Sequence, residues 1–294
     1  MSEDGLIVVD KPGGMTSHDV VARARRLART RRVGHGGTLD PMATGVLVLG
    51  VGRGTRLLTY VIGARKSYAA TIRLGEATVT DDAEGDVTAA ADASGVTDEA
   101  LRAGLAALTG EIDQVPSAVS AIKVDGRRAY QRVRAGEQVE LAARRVTVYG
   151  IDVTGVRRDS PGRVDVDVDV ACSSGTYIRA IARDLGAALG VGGHLTALRR
   201  TAVGDFTLAE AATLVDLERR APDVVTLPLA AAARRSLPQR EASADEAKVL
   251  SHGGPLDGVG RTETYAVFDP TGALVAIVTE RGGKARPDVV FAAG

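Results

Sequence analysis

The sequence has one cysteine, no excess of either charge and no long apolar run. A single thiol, Cys172, excludes an internal disulfide and fits a reducing, cytoplasmic setting. One cysteine and four scattered histidines offer no ligand set for a zinc cluster. No hydrophobic stretch approaches the roughly 18 residues needed to span a bilayer. The opening MSEDGLIVVDKPGG is acidic and lacks a basic-then-apolar leader, so neither a signal peptide nor a membrane partner is expected. The glycines of GVGRGTR (50–56) match neither G-x-G-x-x-G nor a Walker motif. A tight turn accounts for them, and no nucleotide cofactor is expected.

What is present is ordinary for a globular chain: 45% hydrophobic and 25% charged residues in 294. That length suits two domains, or one large domain with an appendage. The net charge of zero hides opposed blocks. Residues 1–73 carry +7, residues 74–115 carry −9 and residues 116–145 carry +4. Such asymmetry fits a polyanion-binding face beside an acidic, solvated one.

The pattern alternates short strands and helices. Leu6–Val9 reads as a strand, followed by a turn at Lys11-Pro12-Gly13-Gly14. A helix capped by Thr16 or Ser17, with Asp19 near the capping-box position, runs to about Thr30. Its apolar stripe is Val20, Ala24 and Leu27, and its arginines lie off that stripe. Val46–Leu49 and Lys66–Leu74 read as strands, Glu76–Ser94 as acidic loop, and Thr97–Leu108 as a capped helix. In RVDVDVDVAC (163–172) valines alternate with aspartates, the mark of a half-buried strand. A turn at Ser173-Ser174-Gly175 leads to a helix over Thr176–Leu189, and Leu195–Phe206 reads as strand. The expected class is α+β, a mixed, mostly antiparallel sheet with flanking helices. Residues 1–220 form the main domain, with a basic arm at about 116–145. Residues 221–240, rich in Ala, Pro and Arg, suit a linker, and 241–294 form a small β-rich module.

GHGGTLDPMATGVLVLG (34–50) resists an ordinary structural reading. Glycines clear space around Asp40, and a basic helix precedes it. A carboxylate kept ionised by a cation can serve as nucleophile or base; a cap or a salt bridge is the plainer alternative. His35 and Asp40 also make an H-x-x-x-x-D spacing used by some acyltransferases, but those usually act at membranes. In SSGTYIRAIARDLG (173–186), Tyr177 and Arg179 occupy the first helical turn. An arginine there opposes the helix dipole and is better placed opposite a carboxylate. Pairing with Asp184 is the plainer option. Tyr68 lies on a strand, as core or as a base-stacking ring.

Together DKPGGMTS (10–17), GHGGTLDPMATGVL (34–47), KSY (66–68), PSAVSAIK (116–123), CSSGTYIRAIARDLG (172–186) and GGHLTALRRTAVGDF (192–206) resemble the TruB-type tRNA pseudouridine synthases. The resemblance covers residues 6 to about 206, with the motifs in the family's order. It implies isomerisation of the uridine at tRNA position 55, in the T-arm loop, to pseudouridine. It also implies a pseudouridine synthase fold with a C-terminal PUA-like RNA-binding module, and neither metal nor organic cofactor. Asp40 matches the catalytic aspartate, Tyr68 the tyrosine that stacks on the uracil, and Arg179 the arginine that pairs with the aspartate. Leu198 matches an apolar pocket residue, His35 a histidine of base flipping, and Tyr177 lies beside Arg179. Lys11 and Lys123 are expected among the substrate-binding residues. Gly37 stands where the family pattern has Ala or Thr, and residues 241–294 carry no matched motif. A monomer is expected, since nothing marks a dimer surface. The alternative on the same scaffold is a non-catalytic protein that binds and folds tRNA.

Overall fold

The computed structural model describes residues 3–117 and 141–291, with the backbone pairing of Lys123–Val124 and Arg127–Arg128. The rest of the basic arm between 118 and 140 lies outside the described residues. The chain divides into two compact units. One holds Met1–Asp40, Gly45–Gly63 and Val203–Gly294; the other holds Pro41–Thr44 and Ala64–Ala202.

In the first unit the strand Gly5–Lys11 is buried at almost every position. It runs antiparallel to Thr44–Val51, which also pairs with Val33–His35. Continuous Val/Leu/Ile sequence suits strands covered on both faces. The helix Ser17–Leu27 begins where expected. Thr16 Oγ1 accepts from Asp19 N at 3.1 Å and the Asp19 carboxylate accepts from Thr16 N at 2.8 Å, a full capping box. Val20 and Ala24 face inward, while Arg25, Arg26 and Arg29 are exposed.

The 221–240 stretch is not a free linker. Leu227–Pro228 pairs with Leu6 and Gly5, and Leu229–Ser236 is a helix with Ala232 and Ala233 fully buried. Alanine, read as linker composition, is also the strongest helix former. Beyond it a five-stranded sheet runs in the order Gln239–Glu241, Tyr265–Phe268, Leu274–Arg281, Lys284–Val290, Leu256–Asp257. Its first pair is parallel and the others antiparallel. The GVGRGTR turn ties this module down. Arg53 bonds to Asp4 and the Phe291 carbonyl, and Arg56 donates to the Val290 carbonyl at 2.8 Å.

The second unit carries a sheet ordered Gly193–Val203, Lys66–Leu74, Val164–Cys172, Arg144–Arg157, Gly110–Gln114. The last three neighbouring pairs are antiparallel. The alternation read in 163–172 holds: the valines are buried, while Asp165 and Asp167 pair outward with Arg73 and Arg157. Ile178–Ala188 packs Ile181, Ala182 and Leu185 inward. Residues 76–94 are not wholly loop, because Glu76–Thr78 and Val87–Ala90 form an antiparallel pair. Their polar composition hid a short hairpin in which every Val87–Ala90 side chain is exposed.

The close approach inside GVGRGTR generates a prediction. A Cβ on Gly54 would land on the carbonyl of Gly5, whereas one on Gly63 meets nothing within 4 Å. Gly54→Ala is expected to lower unfolding free energy by about 3 kcal/mol. Gly63→Ala should stay within about 0.5 kcal/mol of wild type in the same denaturant titration. Equal effects would show that the Gly54–Gly5 contact does not set the packing here.

Candidate active site

The loop that ends at Asp40 is shaped by the first helix. Ser17 is buried, and its hydroxyl accepts from Leu39 N at 2.8 Å and donates to Leu39 O at 3.1 Å. One side chain therefore satisfies both peptide groups of the residue before Asp40. Gly36 N donates to Val48 O at 2.8 Å, and a Cβ on Gly36 would press on Leu58 and Val61. Asp40 follows at intermediate burial. His35 closes the strand Val33–His35, its ring edge-on to His18 at 5.3 Å between centroids. Lys11, expected among the substrate-binding residues, lies inside the fold. It is fully buried, and its ammonium donates to Pro12 O at 2.8 Å and Met15 O at 2.6 Å. It organises the KPGGM turn, and no local pattern in the sequence signals that burial.

The second unit brings Tyr177, Arg179, Tyr68 and Leu198 onto three elements. Tyr68 is 7% exposed on the buried face of Lys66–Leu74, opposite Val170 on the neighbouring strand. Two residues earlier on that face, burial and nearby Arg200 hold the Lys66 ammonium down to about 8. Leu198 is buried on Gly193–Val203 and lines a cavity of about 520 Å³ with Met42, Thr44, Ala69, Thr71 and Arg199. Tyr68, Tyr177 and Arg179 do not line that cavity. The side chain of Lys123 lies outside the described residues.

Arg179 is only 4% exposed, and the Asp184 carboxylate meets Arg183. The Arg179 guanidinium meets the Asp82 carboxylate at 3.3 Å and donates to Thr80 O at 2.7 Å. Asp82 is itself buried, and its carboxylate also accepts from Thr80 Oγ1 at 2.6 Å and Glu84 N at 3.0 Å. Desolvating two charges is costly, and such a pair persists only with this many hydrogen bonds around it. One turn along the helix, Arg183 reaches Asp81 at 3.4 Å, Asp184 at 2.8 Å and Val115 O at 2.7 Å. Burial pushes the Asp81 carboxyl above its ordinary 3.8, against the pull of Arg183 and Arg179. Arginines four residues apart thus hold successive aspartates of one loop.

Asp82 was not legible as a site residue. It sits in an acidic block that reads as solvated surface, and no short motif marks it. Its burial comes from a tertiary bridge between Asp82 and Leu195, with Leu195 N donating to Asp81 O at 3.0 Å. Asp82→Ala would remove a buried carboxylate from the Arg179 guanidinium and is expected to cost about 3 kcal/mol of stability in chemical denaturation. A loss below about 1 kcal/mol would show the pair to be energetically idle.

The descriptions that match this chain agree along its length. Residues 25–178 match the N-terminal domain of the TruB family pseudouridylate synthases. Residues 179–223 match the tRNA pseudouridylate synthase B C-terminal domain, and residues 237–292 match the tRNA pseudouridine synthase II C-terminal domain. The tRNA pseudouridine synthase B of Arthrobacter sp. (strain FB24) is 60% identical over 298 residues, covering 98% of this chain and 96% of that protein. The protein of that name from Thermobifida fusca (strain YX) is 57% identical over 292 residues, covering 98% and 99%. Among solved structures, a chain of an H/ACA RNP bound to a substrate RNA containing 2′-deoxyuridine superposes with a TM-score of 0.72 at 26% identity, covering 98% of this chain and 85% of that one. The chain belongs to the TruB family of pseudouridine synthases, and it is an isomerase.

Proposed function

We propose that this synthase acts on tRNA and converts the uridine at position 55 of the T-arm loop to pseudouridine, with Asp40 as its catalytic carboxylate. The observation that carries the reading is the near full-length identity to relatives named tRNA pseudouridine synthase B. The clamp of Ser17 on Leu39 supports it, since it fixes the backbone that presents Asp40.

The uridine leaves the stack before its glycosidic bond can be reached, at a cost of a few kcal/mol that pocket contacts offset. Tyr68 stacks on the flipped uracil, Leu198 supplies an apolar surface, and Tyr177 contacts the nucleotide beside Arg179. His35 assists flipping. The Asp40 carboxylate promotes cleavage of the C1′–N1 bond. The uracil turns, C5 bonds to C1′, the C5 proton is lost and N1 gains one, so the product is an isomer of the substrate. Tyr68 is the candidate for the final deprotonation, although phenols are poor bases near neutral pH.

Exposed Arg25, Arg26 and Arg29, with the arm around Lys123, contact phosphates. This contact weakens with salt and carries little sequence information. T-loop recognition rests on shape and splayed bases. The enzyme works as a monomer in the cytoplasm, where its substrate is, and each role above falls to a residue of one chain. Residues 241–294 serve as a PUA-like RNA-binding module. Among the described residues no helix is long and apolar enough to cross a membrane.

The test is tritium release from a T-arm transcript labelled at uracil C5, with wild type and Asp40→Asn. Release by wild type alone, with RNA binding retained by the variant, is expected. Release by both would remove Asp40 from the chemistry. Release by neither, with RNA still bound, would favour a tRNA-folding protein on this scaffold.

A further inference from the structure

The helix that carries Arg179 starts without a side-chain cap of its own. Its N-cap, Tyr177, is extended, with φ −99 and ψ 108, and the Tyr177 side chain makes no capping bond. The partner comes from another strand. Gln114, the last residue of Gly110–Gln114, is 2% exposed. Its side-chain amide meets both peptide groups of Tyr177. Tyr177 N donates to Gln114 Oε1 at 2.8 Å, and Gln114 Nε2 donates to Tyr177 O at 3.1 Å. The same carbonyl accepts the first helical bond, from Ile181 N at 3.3 Å.

A buried amide with one donor and one acceptor engaged leaves little freedom to the peptide it holds. It sets where the helix begins, and therefore the direction in which Arg179, two residues on, leaves the backbone. A second tie joins the same two elements, because Arg183 donates to Val115 O at 2.7 Å. Gln114 ends the strand that follows the helix Asp98–Ala107 and precedes the PSAVSAIK motif, and no reactive chemistry belongs to an amide. Its pattern of contacts, rather than its type, marks it.

We propose that Gln114 is a positioning residue for uridine isomerisation, holding Tyr177 and the start of the Arg179 helix in the geometry that chemistry requires. The inference rests on the reading of Tyr177 and Arg179 as site residues. Gln114 has no contact with substrate in this account, so its removal should slow turnover more than it weakens RNA binding.

Gln114→Glu separates this role from simple packing. The side chain keeps its shape and its acceptor toward Tyr177 N, but a carboxylate cannot donate to Tyr177 O. Protonation restores the donor. The charged groups on the adjoining elements are Arg179, Arg183 and Asp184 on the helix, Asp81 and Asp82 on the loop, and Arg144 and Arg145 on the paired strand, with Glu111 and Asp113 on Gln114's own strand. The wild-type pH profile is the reference for their titration. Steady-state tritium release would be measured from pH 5.5 to 8.5 for wild type, Gln114→Glu, Gln114→Met and Arg179→Ala, with thermal melts at each pH. At pH 8 Gln114→Glu is expected to lose about tenfold or more in kcat, with KM within about twofold of wild type. Its kcat should return toward wild type as the pH falls, whereas Gln114→Met should stay low throughout. Two results would overturn the inference: kcat within twofold of wild type for both Gln114 variants at every pH, or losses that follow melting temperature with no recovery on acidification. Full activity in Arg179→Ala would instead overturn the site reading beneath it, so the two failures are distinguishable.

Discussion

Much of the second unit is arranged around one buried charge. A guanidinium in the interior is tolerated only with a paired carboxylate and hydrogen-bond acceptors beside it. Arg179 has the Asp82 carboxylate and the Thr80 carbonyl. Asp82 in turn needs Thr80 Oγ1, Glu84 N and the bond from Thr78 Oγ1 to its own carbonyl at 2.7 Å. The loop at 78–84 is therefore fixed by the same bonds that stabilise the arginine. Asp81 takes a left-handed conformation at φ 59, which a non-glycine residue adopts when its surroundings insist on it. Arg183 and the Leu195 backbone supply that insistence. The pair also explains how an arginine can occupy the first turn of a helix, where the dipole disfavours it.

The Asp40 loop is built on a different principle. Ser17 closes on Leu39, Lys11 gathers the carbonyls of its own turn, and Gly36 packs where a side chain would collide. The motifs DKPGGMTS and GHGGTLD, distant in sequence, are thus halves of one hydrogen-bonded arrangement. A rigid backbone before a reactive carboxylate limits the reorganisation that chemistry would otherwise require.

What the sequence disclosed follows the range of the forces involved. The Thr16–Asp19 box, the cap at Thr97 and the alternation of Val164–Cys172 depend on residues within a few positions, and each was readable. The α+β class and its mostly antiparallel sheet followed from those periods. Residues whose roles arise from distant neighbours were misread or missed. Asp82 looked like solvated acid, and 221–240 like a linker although its alanines pack in a helix. Gln114 carried no signal at all, because a side-chain amide acquires meaning only from the peptide it faces. For the site, motif resemblance supplied Asp40, Tyr68 and Arg179, while Asp82, Arg183 and Gln114 emerged from the coordinates.

The central claim is that this fold directs isomerisation to one uridine of a tRNA loop. The most direct measurement is pseudouridine mapping at nucleotide resolution, by carbodiimide adduct formation and reverse-transcription stops, on an unmodified full-length tRNA transcript incubated with the enzyme. The account predicts a single new stop, reporting position 55 in the T-arm loop. Stops elsewhere with the T-loop uridine untouched, or none at all, would contradict it.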